Sequence, residues 1–327
     1  MNVLIVCPVP HGSRMGNRVT ATRWQTLLHS LGHAVRITTR TDDVRCDLLI
    51  ALHARKSASA VFASKRDNPG RPVIVAMTGT DLYRDIQVSA ESQEAITAAD
   101  RLVVLQSHGI RELPQRVRKR VRVIEQSCPR LPRPPRRSER TFDVCVIGHL
   151  RDEKDPLRAA IAVRDVPAES RLRVVQVGAA LDTTWKQRAE RETRSNPRCV
   201  WRGELSRTRA RAVLAHSRVM VLSSVIEGGA NVISEAAAAG TAIIASDIPS
   251  TVALLGADHP GLFATGDTRA LRTLLLRCER DARFLAALER RSRLLAPRFD
   301  PERERAAWRS LLAEITTVRA NGRRTRA

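Results

Sequence analysis

The chain has 327 residues, 56 of them Lys or Arg against 34 Asp or Glu, for a formal charge of +22 and a pI near 11.3. A 43 % hydrophobic content with only 3 % aromatic residues excludes a disordered chain and points to aliphatic cores, and the length fits two α/β domains better than one. The six cysteines show no CxxC pair and no ligand-like spacing with His, which excludes a disulfide scaffold and fits a reducing cytoplasm.

Only five basic residues are Lys (56, 65, 119, 154 and 186), so the excess is almost entirely Arg. The charge favours anionic small molecules or an acidic membrane surface. Nucleic acid is not the expected partner. The cations are scattered, with no zinc-finger spacing, no aromatic stacking platform and no helix-turn-helix signature. Met1–Pro10 lacks a basic leader and cleavage pattern and reads as a first strand. No apolar run is long enough to span a bilayer, so any membrane contact would be peripheral.

Apolar runs predict strands near 3–9, 34–39, 48–53, 73–78, 101–106 and 121–125, with helices near 18–31, 56–67, 90–99 and 107–113. Strand one ends at Pro10, after which Gly12 and Gly16 allow a tight turn and Asn17, Arg18 and Thr20 open a helix. Asn17 is a candidate N-cap. His53 follows strand three, and Thr78, Thr80, Asp81 and Arg84 follow strand four. Polar loops on one edge make an acceptor pocket from Gly16, Asn17, Arg18, Thr20, His53, Thr80, Asp81 and Arg84. Asp81 has a competing use as a local cap, and His53 as a satisfied loop histidine.

Residues 128–140 (CPRLPRPPRRSER) carry four prolines and no periodicity, and read as a linker. Beyond them, strands are expected near 142–148, 172–177, 199–203, 218–223 and 241–245, with helices near 156–165, 183–194, 206–216 and 231–239. The stretch 268–318 is helical and basic, and the tail 321–327 is expected to be disordered. The expected domains are 1–127, linker 128–140, 141–300, and a C-terminal helix over 301–320 packing back on the first domain. Two βαβ runs imply two doubly wound, Rossmann-like α/β domains facing a central cleft.

The segment 219–246 is the most informative. A buried strand leads into Glu227, Gly228, Gly229 and Ala230, then a helix of small residues from Asn231 that carries Glu235 and stops at Gly240. Glycines admit a close ligand, a helix N-terminus suits a diphosphate, and a helix carboxylate can accept from sugar hydroxyls. The second domain opens with a strand ending at Gly148, followed by His149, Arg151 and Lys154, cations suited to a leaving diphosphate. Pairing of Lys154 with Asp152 or Asp155 is the structural alternative. No DxD motif is present, so the reading assigns no metal and no cofactor. Gly178, Arg202 and Leu205 follow neighbouring strands and could frame a nucleobase.

EGGANVISE (Glu227–Glu235) and GHLRDEKD resemble the signatures of GT-B glycosyltransferases of the family 4 type. The resemblance implies that Glu235 holds ribose hydroxyls, Lys154 the diphosphate, and Glu227 the sugar or phosphate region. His149 stands where the family pattern has Arg, which leaves Arg151 as the alternative holder of that role. The strings GNRVTATRW, DLLIALHARKSA, TGTDLYRD, ADRLVVLQ, VIGHLRDEKDP, VQVGAALD, EGGANVISEA and DHPGLFATGDT, over residues 16–268, are similar to selenosugar synthases of selenoneine biosynthesis. That resemblance implies a UDP-sugar donor (UDP-GlcNAc or a related hexose) and selenophosphate as acceptor. The alternative is a family 4 transferase acting on another small or membrane-bound acceptor.

Overall fold

The computed structural model describes residues 1–39, 46–130 and 136–324, with side chains as far as 316. Residues 1–126 and 301–327 form one compact unit and residues 127–300 another.

The first unit is built on a six-stranded sheet: β1 (Asn2–Val6), β2 (Ala34–Thr38), β3 (Leu48–Leu52), β4 (Val73–Met77), β5 (Arg101–Val104) and β6 (Val121–Val123). Every pairing is parallel, in the order β2-β1-β3-β4-β5-β6. A parallel sheet is covered on both faces, which is why Leu48–Leu52 and Val73–Met77 are unbroken apolar runs, buried throughout. Alternate residues feed opposite cores. Val3, Ile5, Leu48, Ile50 and Leu52 face one side, and Leu4, Val6, Leu49 and Ala51 the other.

The helix Pro301–Arg324 closes the first of these cores. Trp308, Leu311, Leu312 and Ile315 enter it at helical spacing, and Trp308 meets Trp24 edge-on at 4.7 Å between ring centroids. Glu304, one turn earlier, accepts from the Arg23 guanidinium at 3.0 and 3.2 Å and from Trp24 Nε1 at 2.7 Å. This helix runs through Asn321–Arg324, residues expected to be disordered; 325–327 and, in the linker, 131–135 lie outside the described residues.

The second unit repeats the design with β7 (Phe142–Ile147), β8 (Leu172–Val177), β9 (Cys199–Trp201), β10 (Val219–Leu222), β11 (Ala242–Ser246) and β12 (Leu262–Phe263). Their order is β12-β11-β10-β7-β8-β9, again parallel. β12 has two residues, too few to leave a periodic signal, and the sequence reading missed it. The expected helices shorten at two places. Residues 107–113 give Gly109–Glu112, with Gln115–Arg118 beyond Pro114, and 156–165 give Arg158–Ala162. The basic stretch after 268 breaks at Asp281, whose carboxylate caps the helix Ala282–Leu295 by accepting from Arg283 N and Phe284 N.

Candidate functional site

In a doubly wound sheet, ligands bind beyond the carboxyl ends of the strands, where consecutive connections leave in opposite directions. In the second unit that point lies between β7 and β10: the chain runs from β7 outward through β8 to β9, then returns to the other side of β7. The loops leaving β7 and β10 are those carrying Lys154 and Glu227.

The fold joins these two side chains. Lys154 Nζ donates to Glu227 Oε1, which also accepts from Ser224 Oγ at 2.7 Å. The Lys154 side chain is 22 % exposed and that of Glu227 8 %. The alternative partners of Lys154 are engaged elsewhere. Asp152 accepts from Trp185 Nε1 at 3.1 Å, and Asp155 from Arg158 Nε at 2.6 Å. The two loops are also tied through their backbones, with Val225 N donating to Glu153 O at 2.9 Å and Ser223 Oγ to Asp155 O at 2.8 Å. Asp155 holds a left-handed conformation (φ 40°), which turns the chain back after Lys154.

Glu227, Gly228 and Gly229 lead into the helix Asn231–Ala239 through Ala230, which sits at the N-cap with φ 37°. Ala230 offers no side-chain oxygen to the first turn, and that turn contains no acidic residue. A helix start of this kind presents backbone N–H groups and the positive end of the dipole to an anion. Glu235, on the same helix, lies with its Oε1 3.7 Å from Arg207 Nε.

Across β8, Gly178 brings two strand ends together. Its N–H donates to Gly203 O at 2.8 Å, and a Cβ at this position would lie 2.0 Å from Gly148 O. His149 Nδ1 accepts from Ala179 N at 3.2 Å, which leaves the ring proton on Nε2, 4.0 Å from Glu204 Oε1. Arg151 Nε lies 3.8 Å from Glu153 Oε2. Arg202 and Leu205 are grouped differently. They line a cavity of about 430 Å³ with Asp143, Arg173 and His216, residues at the strand starts and the far end of the Arg207–His216 helix.

In the first unit the corresponding point lies between β1 and β3. His53 directly follows β3 in a left-handed conformation (φ 72°) and is buried. Its Nδ1 accepts from Lys56 N at 3.3 Å, so Nε2 carries the proton and donates to Thr80 Oγ1 at 3.1 Å. Burial lowers the His53 pKa despite the carboxylates of Asp81 and Asp85 nearby, so the ring is neutral at pH 7. Asp81 is fully buried and accepts from the backbone N–H groups of Ala54, Thr78 and Gly79 at 2.8–3.2 Å. Its role is the local one, tying the exits of β3 and β4.

Arg18 and Thr20 also turn inward. Arg18 Nε donates to Val9 O and Pro10 O at 3.2 and 3.1 Å, fastening the loop after β1, and Thr20 Oγ1 accepts from Gln126 Nε2 at 2.7 Å. Asn17 is not an N-cap. The helix Gly16–Ser30 begins a residue earlier, with Met15 at the cap position. The charge left at this edge gathers on Asp85, which the sequence reading passed over. Arg84 Nε reaches it at 3.2 Å, Arg55 at 3.7 Å and His53 Nε2 at 3.8 Å. A second Asp in DLYRD was the available signal.

Residues 141–281, the stretch holding Lys154, Glu227 and Glu235, match the family model described as glycosyl transferases group 1. The chain superposes on Anabaena HepE, solved with UDP and glucose, with a TM-score of 0.74 at 14 % identity, covering 96 % of this chain and 100 % of that one. It also superposes on the sucrose-phosphate synthase of Thermosynechococcus elongatus, with a TM-score of 0.77 at 14 % identity, covering 97 % and 99 %. The chain has the GT-B glycosyltransferase fold. A third GT-B neighbour, a glycosyltransferase from Rickettsia africae, gives 0.73 at 13 % identity over 96 % and 98 %. No curated protein matches the chain. Among the described residues, no helix is long and apolar enough to cross a membrane, and no three His, Cys, Asp or Glu residues converge as a metal site.

Proposed function

We propose that the chain is a metal-independent hexosyltransferase that moves a GlcNAc- or glucose-type sugar from UDP to selenophosphate. The observation that carries the donor half is the contact of Lys154 with Glu227 at the β7/β10 switch point, beside the uncapped start of the Asn231–Ala239 helix. A cation and a helix N-terminus together suit a diphosphate that gains charge as it leaves. Glu235 is the acceptor for ribose hydroxyls, with Gly178, His149 and Arg151 around the same edge. The solved neighbour bound to UDP-glucose supports a uridine donor.

Selenophosphate is supported by the string similarity to selenosugar synthases and by the cationic edge of the first unit, where Arg55 and Arg84 share one buried carboxylate. A selenium lone pair forms the bond to the anomeric carbon while the anomeric C–O bond breaks, its electron pair leaving with UDP. Water then cleaves the Se–P bond to give phosphate and the 1-selenosugar. Lys154 meets the developing charge on UDP, and the selenophosphate is already ionised, so no general base is assigned.

The test is mass spectrometry of purified protein with UDP-GlcNAc or UDP-glucose, with and without fresh selenophosphate under reducing conditions. The expected result is a product with the selenium isotope pattern and UDP release that depends on selenophosphate. UDP-sugar binding with no selenium product would remove the acceptor assignment, and absence of any UDP-sugar binding would remove the donor assignment.

A further inference from the structure

Arg207 is the first residue of the helix Arg207–His216, just after the N-cap Ser206, whose side chain accepts from Arg209 N. The first turn has no acidic residue, and Arg209 and Arg211 follow on the same helix. A cation at a helix start opposes the macrodipole, and stability alone would place Asp or Glu there. A residue that breaks a local rule marks a place where another demand prevails.

The other demand is Glu235. Its side chain is 12 % exposed on an alanine-rich helix whose Ala236 and Ala237 are buried, and Arg207 Nε lies 3.7 Å from its Oε1. That separation is too long for a hydrogen bond, so the guanidinium acts on the carboxylate through charge. The Arg207 side chain is 46 % exposed, so its charge is held at the edge of the more deeply buried Glu235.

We propose that Arg207 is a positioning residue for the donor: through its charge it holds the largely buried Glu235 carboxylate in place for the ribose hydroxyls. This rests on the reading of Glu235 as the ribose acceptor. Arg207 itself needs no contact with the sugar nucleotide.

The experiment is titration calorimetry of UDP into the full-length protein as wild type, Arg207→Ala, Arg207→Lys, Glu235→Gln and Arg207→Ala/Glu235→Gln, with kcat and KM of UDP release. R207A is expected to weaken UDP binding and raise the donor KM three- to tenfold, leaving kcat within about twofold. R207K restores most of the loss, because a nearby charge suffices. In the E235Q background R207A adds nothing, since the residue acts through Glu235. Additive losses in the double variant, or UDP binding unchanged or tighter in R207A, overturn the inference while leaving the donor site standing. Failure of the folded wild type to bind UDP overturns both.

Discussion

Replacing Lys154 by Ala separates the chemical from the structural weight of the contact with Glu227. Glu227 is buried and would keep the hydrogen bond from Ser224 Oγ at 2.7 Å. Its lost partner is 22 % exposed, so water partly replaces the ammonium. The stability cost therefore falls between that of a surface pair, about 0–1 kcal/mol, and that of a broken buried pair, about 3–5 kcal/mol. A loss near 1–2 kcal/mol is expected, a modest fall in denaturation midpoint for a domain of this size. The effect on turnover is larger if Lys154 meets charge developing on UDP: about 2–4 kcal/mol, or roughly 30- to 1,000-fold in kcat. The assay is UDP release under saturating donor, with urea unfolding of the same preparation. A kcat within tenfold of wild type, alongside the expected small stability loss, would refute the catalytic assignment and leave Lys154 a tie between two loops.

Glu304→Gln tests how the last helix is held. The side chains of Arg23 and Glu304 are 8 % and 0 % exposed, so a neutral amide would leave a buried guanidinium without its counter-charge, at a cost of about 3 kcal/mol in urea unfolding. A loss below about 1 kcal/mol would contradict the buried-pair account. His259 supplies a pH dependence. Burial first, and Arg291 second, lower its pKa to about 4 from the ordinary 6.5, against the weaker opposing pull of Asp258. The unfolded chain therefore takes the proton before the folded one does. The stabilisation is complete above pH 6.5 and is lost as pH falls toward 4, at about 1.4 kcal/mol per pH unit and roughly 3 kcal/mol in all. Asn can still accept from Gly261 N, as His259 Nδ1 does at 3.2 Å, so H259N should flatten the stability profile between pH 6.5 and 4 relative to wild type. Parallel profiles for the two proteins would dismiss the histidine as the cause.

What the sequence made legible was local. Runs such as Leu48–Leu52 and Val73–Met77 announce buried parallel strands because both faces need apolar residues, and Gly240 announces a helix stop at φ 65°. What it withheld was the choice of partner. Lys154 has three acids within two residues (Asp152, Glu153 and Asp155) and takes a fourth, 73 positions away, because the exits of β7 and β10 meet at the switch point. Arg207 and Glu235 come from two helices that no short-range pattern connects. Thr20 looked available, but a helix starting at Gly16 turns it toward Gln126. The left-handed entry at Ala230 was hidden because the composition pointed to the two glycines before it.

The two switch points differ in how their charge is used, and that difference bears on the acceptor. In the second unit, two acids near the switch point face cations: Glu227 meets Lys154, and Glu235 meets Arg207. On the proposed reading, a diphosphate would replace the Glu227 carboxylate beside Lys154, and ribose hydroxyls would approach Glu235. In the first unit, Asp81 is saturated by backbone N–H groups and Arg18 by backbone carbonyls, so neither is available to read a ligand. What remains is Asp85, 3 % exposed, beneath the guanidinium groups of Arg55 and Arg84, 55 % and 52 % exposed. One carboxylate against two arginines leaves the rim positive. A rim of that kind recognises an acceptor by charge more than by hydroxyl pattern. On the proposed reading, a small phosphoanion would add counter-charge at this rim, whereas a neutral glycan would leave Asp85 to balance both guanidinium groups.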